Sequence, residues 1–509
     1  MADQRLVTLT IEGRPVSVPE GTTILEAAKT AGVLIPHYCY HPGLKIAGVC
    51  RMCLVEVEKM PKLAPSCATT VAEGQVVKVY TQKALDARKG VLELLLINHP
   101  LDCPICDQAG ECELQDYTFQ EGRADSRYRE PKRFNPAEDF GGDVLYVTNR
   151  CILCTRCVRF MGDVAGDRAL CVEERGDRAH IGIAPDHDLS HPWAANVIDL
   201  CPVGALVSKD FLNKARAWEL DRTASVCPNC SQGCNITLET RDQTVVRMKP
   251  RTNDAVNQFY LCDEGRLNYE WINRDDRMET PVVAGKIASW EAALAAAGAA
   301  LKGGGVTVVA SASLSNEALW LLKQAAGTGK FRVAKGGEAP LAGVPDLALR
   351  ADRAPNATGA EMLGFSRADN PLAGARQTVV IAGDDLGGLD TASLASAKHV
   401  IVIGTTVPKG LPANAILLPM ANFAEEEGTF TNLRGRVQRF LQARPAPGLA
   451  RASWMALAGL AAAAGKSAAY DSAEAAFAAM ANAEAAFSGL SYDTLGLKGQ
   501  VAPGARVNA

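Results

Sequence analysis

Alternating apolar and polar positions open the chain. VTLTIEG from Val7 and RPVSVPE from Arg14 each place every second residue on one apolar face and meet at a Gly-Arg-Pro turn, which predicts a hairpin. TTILEAAKTAG follows with helical spacing and a terminal glycine, so it reads as a helix. MCLVEVEK and QVVKVYT add strands and complete a small β-rich domain that ends near residue 82. From Lys83 to Asn98 the period is helical, and a long loop-rich region containing PICDQAGEC and REPKRFNP comes next. NITLETRD and TVVRMKP, between Cys234 and Cys262, predict a second small β domain.

Beyond about residue 280 the texture changes. GVTVVAS, QTVVIAG and HVIVIGT are short apolar runs that alternate with helical segments, the pattern of a parallel sheet covered by helices on both faces. Any buried strand can end at glycine, so no nucleotide site is inferred from these runs. From Arg451 to Leu490 the chain is alanine-rich and reads as helical.

A length of 509 residues suggests three or four domains. The charge balance, 53 Lys+Arg against 57 Asp+Glu, leaves a net charge of -4 and no basic field to attract nucleic acid. MADQRLVTLTIEGRPVSV lacks a basic region followed by an apolar one, which argues against export. The longest apolar stretch, Trp454 to Gly465, is far short of the ~20 residues that cross a bilayer, so membrane contact is expected only through partners. All sixteen cysteines lie at or before residue 262. In a large chain without an export signal they read as metal ligands rather than disulfides.

Fifteen of them fall into four groups. Cys39, Cys50, Cys53 and Cys67 form C-x10-C-x2-C-x13-C, four thiolates that suit zinc or an iron-sulfur centre. The preceding hairpin and helix, and the long first loop, favour a 2Fe-2S cluster over a compact zinc knuckle. Cys103, Cys106 and Cys112 follow His99 as H-x3-C-x2-C-x5-C, with His99 or the isolated Cys171 available as a fourth ligand. Cys151, Cys154, Cys157 and the remote Cys201-Pro202 make C-x2-C-x2-C-x43-C-P, the ferredoxin pattern of a 4Fe-4S site. Cys227, Cys230, Cys234 and Cys262 form C-x2-C-x3-C-x27-C, which suits a 4Fe-4S cluster or a structural zinc.

CYHPGLKIAGVCRMCLVEVE resembles the 2Fe-2S ferredoxin domain that opens the large iron-sulfur subunit of bacterial NADH:quinone oxidoreductase, respiratory complex I. NAD-reducing hydrogenases, iron-only hydrogenases and NAD-dependent formate dehydrogenases share such an opening. HPLDCPICDQAGEC looks like the 4Fe-4S site of the same family with one histidine and three cysteine ligands, which implies His99 as ligand and leaves Cys171 a buried free thiol. The histidine removes negative charge and implies a raised reduction potential. A two-cluster ferredoxin would carry a cysteine where Met161 stands and a second CxxCxxC where HPWAANVIDL stands. That single cluster favours the complex I subunit over its hydrogenase and formate dehydrogenase relatives. CPNCSQGC resembles the cluster motif of molybdopterin oxidoreductases, and so do YLCDEGRLNYEWIN and ANFAEEEGTFTNLRGRVQRF. Asp263-Glu264 stands where formate dehydrogenases usually have lysine, no cysteine follows residue 262, and the domain is short, so no molybdopterin is expected. Glu425-Glu426-Glu427 reads as a solvated turn.

The expected fold is multidomain α+β and α/β: a β-grasp 2Fe-2S domain (1–82), a 4Fe-4S domain with one His and three Cys ligands (83–122), a 4Fe-4S ferredoxin-like region (123–222), a 4Fe-4S molybdopterin-oxidoreductase-type domain (223–280) and a reduced, cofactor-free α/β domain with an alanine-rich helical tail (281–509). The expected cofactors are one 2Fe-2S and three 4Fe-4S clusters. The resemblance implies a non-catalytic electron wire on the cytoplasmic side of the cell membrane. Electrons would pass from NADH, oxidised at an FMN-binding flavoprotein subunit, to the 2Fe-2S site, then to the Cys151 to Cys201 site and the His99 site. They would leave for a two-cluster ferredoxin-like subunit nearer the quinone, with the fourth cluster off the path. A small 2Fe-2S subunit and the quinone-site subunits complete the implied partners. The alternative is the diaphorase-side subunit of an NAD-linked hydrogenase or formate dehydrogenase.

Overall fold

The computed structural model describes residues 5–375, 377–383 and 391–505. The chain divides into two compact units, Met1–Glu219 with Leu341–Pro345, and Leu220–Pro340 with Asp346–Ala509.

In the first unit the opening hairpin pairs Leu6–Ile11 with Arg14–Pro19. Val7, Leu9 and Ile11 face the core, as their alternation requires. Leu6–Ile11 also pairs in parallel with Val76–Lys78, and Leu54–Val57 and Ala64–Pro65 complete a five-stranded sheet. Thr23 caps the helix Ile24–Thr30, which buries Ile24, Leu25, Ala27 and Ala28 against this sheet's core. Thr81 then caps the longer helix Gln82–Leu96. On that helix Arg88 is fully buried. It donates to Leu54 O (3.3 Å) and Val79 O (2.9 Å) and pairs with both carboxylate oxygens of Glu121 (3.1 and 3.2 Å), so one guanidinium joins this helix to the sheet and to helix Glu113–Glu121. Further on, Glu138–Gly141, Val144–Tyr146 and Leu206–Ser208 form a three-stranded sheet, and Leu170–Glu173 pairs with His180–Ile183.

The second unit begins with the antiparallel sheet Asp221–Val226, Asn235–Arg241 and Thr244–Pro250. Its larger part is an eight-stranded sheet whose central strands Val306–Ser311, Thr378–Ala382, His399–Gly404 and Ile416–Pro419 run parallel. Successive residues of these strands enter opposite cores. Val308, Ala310, Val380, Ala382, Ile401 and Ile403 face one, while Val309, Val379, Ile381, Val400 and Val402 face the other. Burial on both faces explains why the runs are apolar throughout rather than alternating. The alanine-rich tail contributes helices Ser453–Ala463 and Ala473–Ala483. Small residues let helices approach: a Cβ on Gly298 of helix Trp290–Lys302 would lie 2.5 Å from Ala463 O. Among the described residues no helix is long and apolar enough to cross a membrane.

The acidic run is not a solvated turn, as its composition suggested. Glu425 and Glu426 are buried. Glu425 pairs with Arg277 (2.7 Å) and Arg444 (2.7 Å), and Glu426 accepts from the Ser453 hydroxyl at 2.8 Å.

Candidate iron-sulfur sites

The first group is gathered by the loop between the helix Ile24–Thr30 and the strand Leu54–Val57. Cys39, Cys53 and Cys67 are buried and Cys50 is partly so. Cys39 N–H donates to Cys50 Sγ (3.5 Å), and the neighbouring Cys67 thiol draws the Cys53 thiol down to about 6. Arg51, between two of them, holds the left-handed conformation (φ 60°). Such strain in a residue with a Cβ persists only where the surroundings impose it.

In the second group Cys112 precedes the helix Glu113–Glu121, where the amides of Leu114 and Gln115 favour its thiolate while burial pushes the thiol up to about 11. Cys103 and Cys106 both act electrostatically on it. His99 is held down to about 4 by burial and then by the charges of Lys132 and Arg150, so its imidazole is neutral at pH 7. Its Nδ1 is buried without a hydrogen-bond partner. Arg150 also acts on Cys106 and pairs with Asp102 (2.9 Å), the residue before Cys103. Cys171 is elsewhere. It lies on the strand Leu170–Glu173, partly exposed rather than buried as expected, with its sulfur 3.7 Å from Gly182 O. Its neighbours Leu170 and Ile181 on the same hairpin are the residues that are buried.

Cys151, Cys154, Cys157 and Cys201 line one narrow cavity together with Tyr146. Burial pushes Cys151 up to about 11 and Cys154 up to about 12. The Tyr146 hydroxyl accepts from Ile181 N–H (3.3 Å) at this cavity, and the amides of Val203, Leu206 and Ala205 favour the Cys201 thiolate. Leu153 (φ 51°) and Thr155 (φ 60°) turn left-handed between the ligands. Met161 is fully buried where a second cluster's cysteine would stand.

Cys227, Cys230, Cys234 and Cys262 are buried in the second unit. Cys227 N–H donates to Cys234 O (2.8 Å), which closes the CPNCSQGC loop, and Gly265 N–H donates to Cys262 Sγ (3.2 Å). A Cβ on Gly265 would stand 3.1 Å from Cys262 Sγ and 3.3 Å from Cys227 Sγ. Beside this group is a cavity of about 310 Å³ lined by Asn229, Glu264, Trp271, Ser313, Arg353 and Glu426 among others; among the described residues lining it there is no cysteine.

These surroundings suit iron-sulfur groups. Cys157, Cys234 and Cys262, whose thiols burial and neighbouring sulfurs push up, ionise only beside a compensating cation. Among the described residues no three or more His, Cys, Asp or Glu side chains converge closely enough to hold a single metal ion. A 4Fe-4S centre spreads its ligands over all its irons and so holds them farther apart.

Family models match along the chain: a 2Fe-2S iron-sulfur cluster binding domain at residues 4–82, the NADH-ubiquinone oxidoreductase-G iron-sulfur binding region at 88–127, the ferredoxin-like domain of NADH-quinone oxidoreductase subunit 3 at 141–207, the molybdopterin oxidoreductase Fe4S4 domain at 220–274, and molybdopterin oxidoreductase at 359–463. A NADH-quinone oxidoreductase subunit of Rickettsia bellii is 43% identical over 325 residues, 62% of this chain. Over that stretch the chain is similar to this NADH-quinone oxidoreductase subunit, as it is to that of Rickettsia felis at 42% identity. The 78 kDa subunit of NADH-ubiquinone oxidoreductase from Neurospora crassa is 47% identical over 57% of this chain and 39% of its own length. The match spans about half of the bacterial relatives, 48% for Rickettsia bellii. A chain of an NAD+-reducing [NiFe]-hydrogenase matches 41% of this chain and 90% of its own at 30% identity, with a TM-score of only 0.38. The chain thus carries 2Fe-2S and 4Fe-4S binding domains ahead of a molybdopterin-oxidoreductase-type α/β domain.

The structure adds residues that spacing did not single out. Arg88, Arg150, Arg156 and Arg159 all hydrogen-bond within or between the loops of the first unit. Three of them stand inside R-C-I-L-C-T-R-C-V-R, so the signal was the basic content of a buried motif.

Proposed function

We propose that this chain is an electron-relay subunit of NADH:quinone oxidoreductase, complex I, working on the cytoplasmic side of the membrane between the NADH-oxidising FMN subunit and the quinone-site subunits. One 2Fe-2S cluster would be held by Cys39, Cys50, Cys53 and Cys67. Three 4Fe-4S clusters would be held by His99, Cys103, Cys106 and Cys112; by Cys151, Cys154, Cys157 and Cys201; and by Cys227, Cys230, Cys234 and Cys262. These groups supply one-electron transfer when bound. The observation that carries the reading is the union of the 88–127 and 141–207 matches with a single CxxCxxC site followed by a buried Met161.

The chain's own residues hold and tune. The amides after Pro202 favour the thiolate of Cys201 at one site, and neutral His99 would offer a lone pair to another. Glu425 is tied to Arg277 and Arg444, and Glu426 accepts from Ser453.

The test is purification of the tagged chain from its native membranes with identification of every bound subunit. Recovery of the NADH-binding flavoprotein, the small 2Fe-2S subunit, the two-cluster ferredoxin-like subunit and quinone-site subunits is the expected result. Recovery with a hydrogenase or formate dehydrogenase catalytic subunit would overturn it in favour of the diaphorase-side alternative.

A further inference from the structure

Two arginines of the C-T-R-C-V-R segment join loops far apart in sequence. Arg156, 4% exposed, donates to Tyr40 O (2.9 Å), the residue after Cys39, and to Leu200 O (3.2 Å), the residue before Cys201. It also pairs with both carboxylate oxygens of Glu113 (3.2 Å each), the residue after Cys112. Arg159 donates to Cys39 O (2.5 Å), Lys45 O (2.6 Å) and Cys154 O (3.1 Å). Carbonyls of two ligands from different groups therefore share one guanidinium.

We propose that Arg156 and Arg159 are positioning residues that form a positively charged junction, holding the ligand loops of three iron-sulfur sites in register and raising the reduction potentials of the sites whose loops they share. The proposal rests on the reading that these loops hold clusters.

Three physical points carry it. A four-thiolate cluster is anionic and gains charge on reduction, so a fixed cation nearby favours the reduced form. Arginine stays protonated and presents its donors in a rigid planar fork, which lets one side chain reach carbonyls on two loops. Among the described residues no carboxylate forms an ion pair with Arg159, and the Cys154 and Cys39 sulfurs are among the groups that act on it. Arg156 differs, because its charge is shared with Glu113, and that carboxylate carries its influence to the neighbour of Cys112.

The experiment is a redox titration followed by low-temperature EPR on the full chain carrying its clusters, for the wild type, Arg159→Gln, Arg159→Lys and Arg156→Gln. Arg159→Gln should shift the midpoints of the Cys39 to Cys67 and Cys151 to Cys201 sites downward together and leave the Cys227 to Cys262 site unmoved. Arg159→Lys should restore most of that shift by returning the charge. Arg156→Gln should move the His99 site as well. Wild-type midpoints at both sites in Arg159→Gln, or an equal shift at the Cys227 to Cys262 site, would overturn the junction. If Arg159→Gln fails to retain its clusters, Arg159→Lys decides. Retention with near-native potentials supports the charge requirement, and loss in both variants overturns it. A wild-type chain without these clusters would sink the functional reading itself, a separate outcome.

Discussion

Gly204 stands against Cys106: a Cβ at residue 204 would collide with the Cys106 sulfur and come within 3.0 Å of Gln108 Cβ. The loop that follows Cys201 is thus packed into the neighbouring ligand group, and Pro202 O accepts from Glu113 N–H at 3.0 Å beside it. Gly204→Ala should displace Cys106 and cost about four irons, the content of one 4Fe-4S site, with the Cys39 to Cys67 signal intact. Iron analysis with EPR checks this; full iron retention would show that the two loops are not interlocked.

His99 and Cys171 are the two residues that the sequence offers as fourth ligand of the second group. With His99 as ligand, His99→Cys should keep the cluster at a lower potential, because a thiolate adds negative charge, and Cys171→Ser should change little. Redox titration of both variants separates the two assignments. A cluster lost only in Cys171→Ser would rule out His99.

Arg88→Ala should destabilise the first unit by about 3–5 kcal/mol, since it leaves Glu121 without its partner at an almost buried position. Urea denaturation followed at the 2Fe-2S absorption band reads this directly. A loss below about 1 kcal/mol would mean that the pair behaves as an exposed one.

How much of this was legible beforehand differs by element. The hairpin at Leu6–Pro19, the helices after it and the parallel apolar strands were readable because period and burial agree residue by residue. Ligand spacing was readable because cluster loops are local in sequence. The roles of Arg88, Arg156 and Arg159 were not, since their acceptors are backbone carbonyls and carboxylates distant in sequence, which no motif records. Glu425 misled for a related reason: its partner Arg277 lies 148 positions upstream, so a buried ion pair looked like a solvated run. Cys171 was expected to be a buried free thiol once His99 was taken as the ligand, and it is partly exposed.

The second unit should lose stability as pH rises. Burial pushes Glu426 up to about 8 and Glu317 up to about 7, from an ordinary 4.5. A carboxyl raised in the folded state binds its proton more tightly there than in the unfolded chain. Its contribution is complete below about 4.5 and is lost as pH climbs to about 8, at up to about 1.4 kcal/mol per pH unit per group. Urea midpoints between pH 5 and pH 8 should therefore fall for the wild type, and Glu426→Gln should flatten the curve. A wild-type midpoint that rises over this range would contradict the buried, protonated assignment.

Electron relay through this chain is tested most directly by low-temperature EPR of the purified native complex reduced with NADH alone. A 2Fe-2S signal and the signals of the His99 and Cys151 to Cys201 clusters should appear within a turnover, and Cys154→Ala should abolish NADH-driven reduction of the His99 site. Absence of NADH-reducible signals assignable to this chain, or undiminished reduction of the His99 site in that variant, would contradict it.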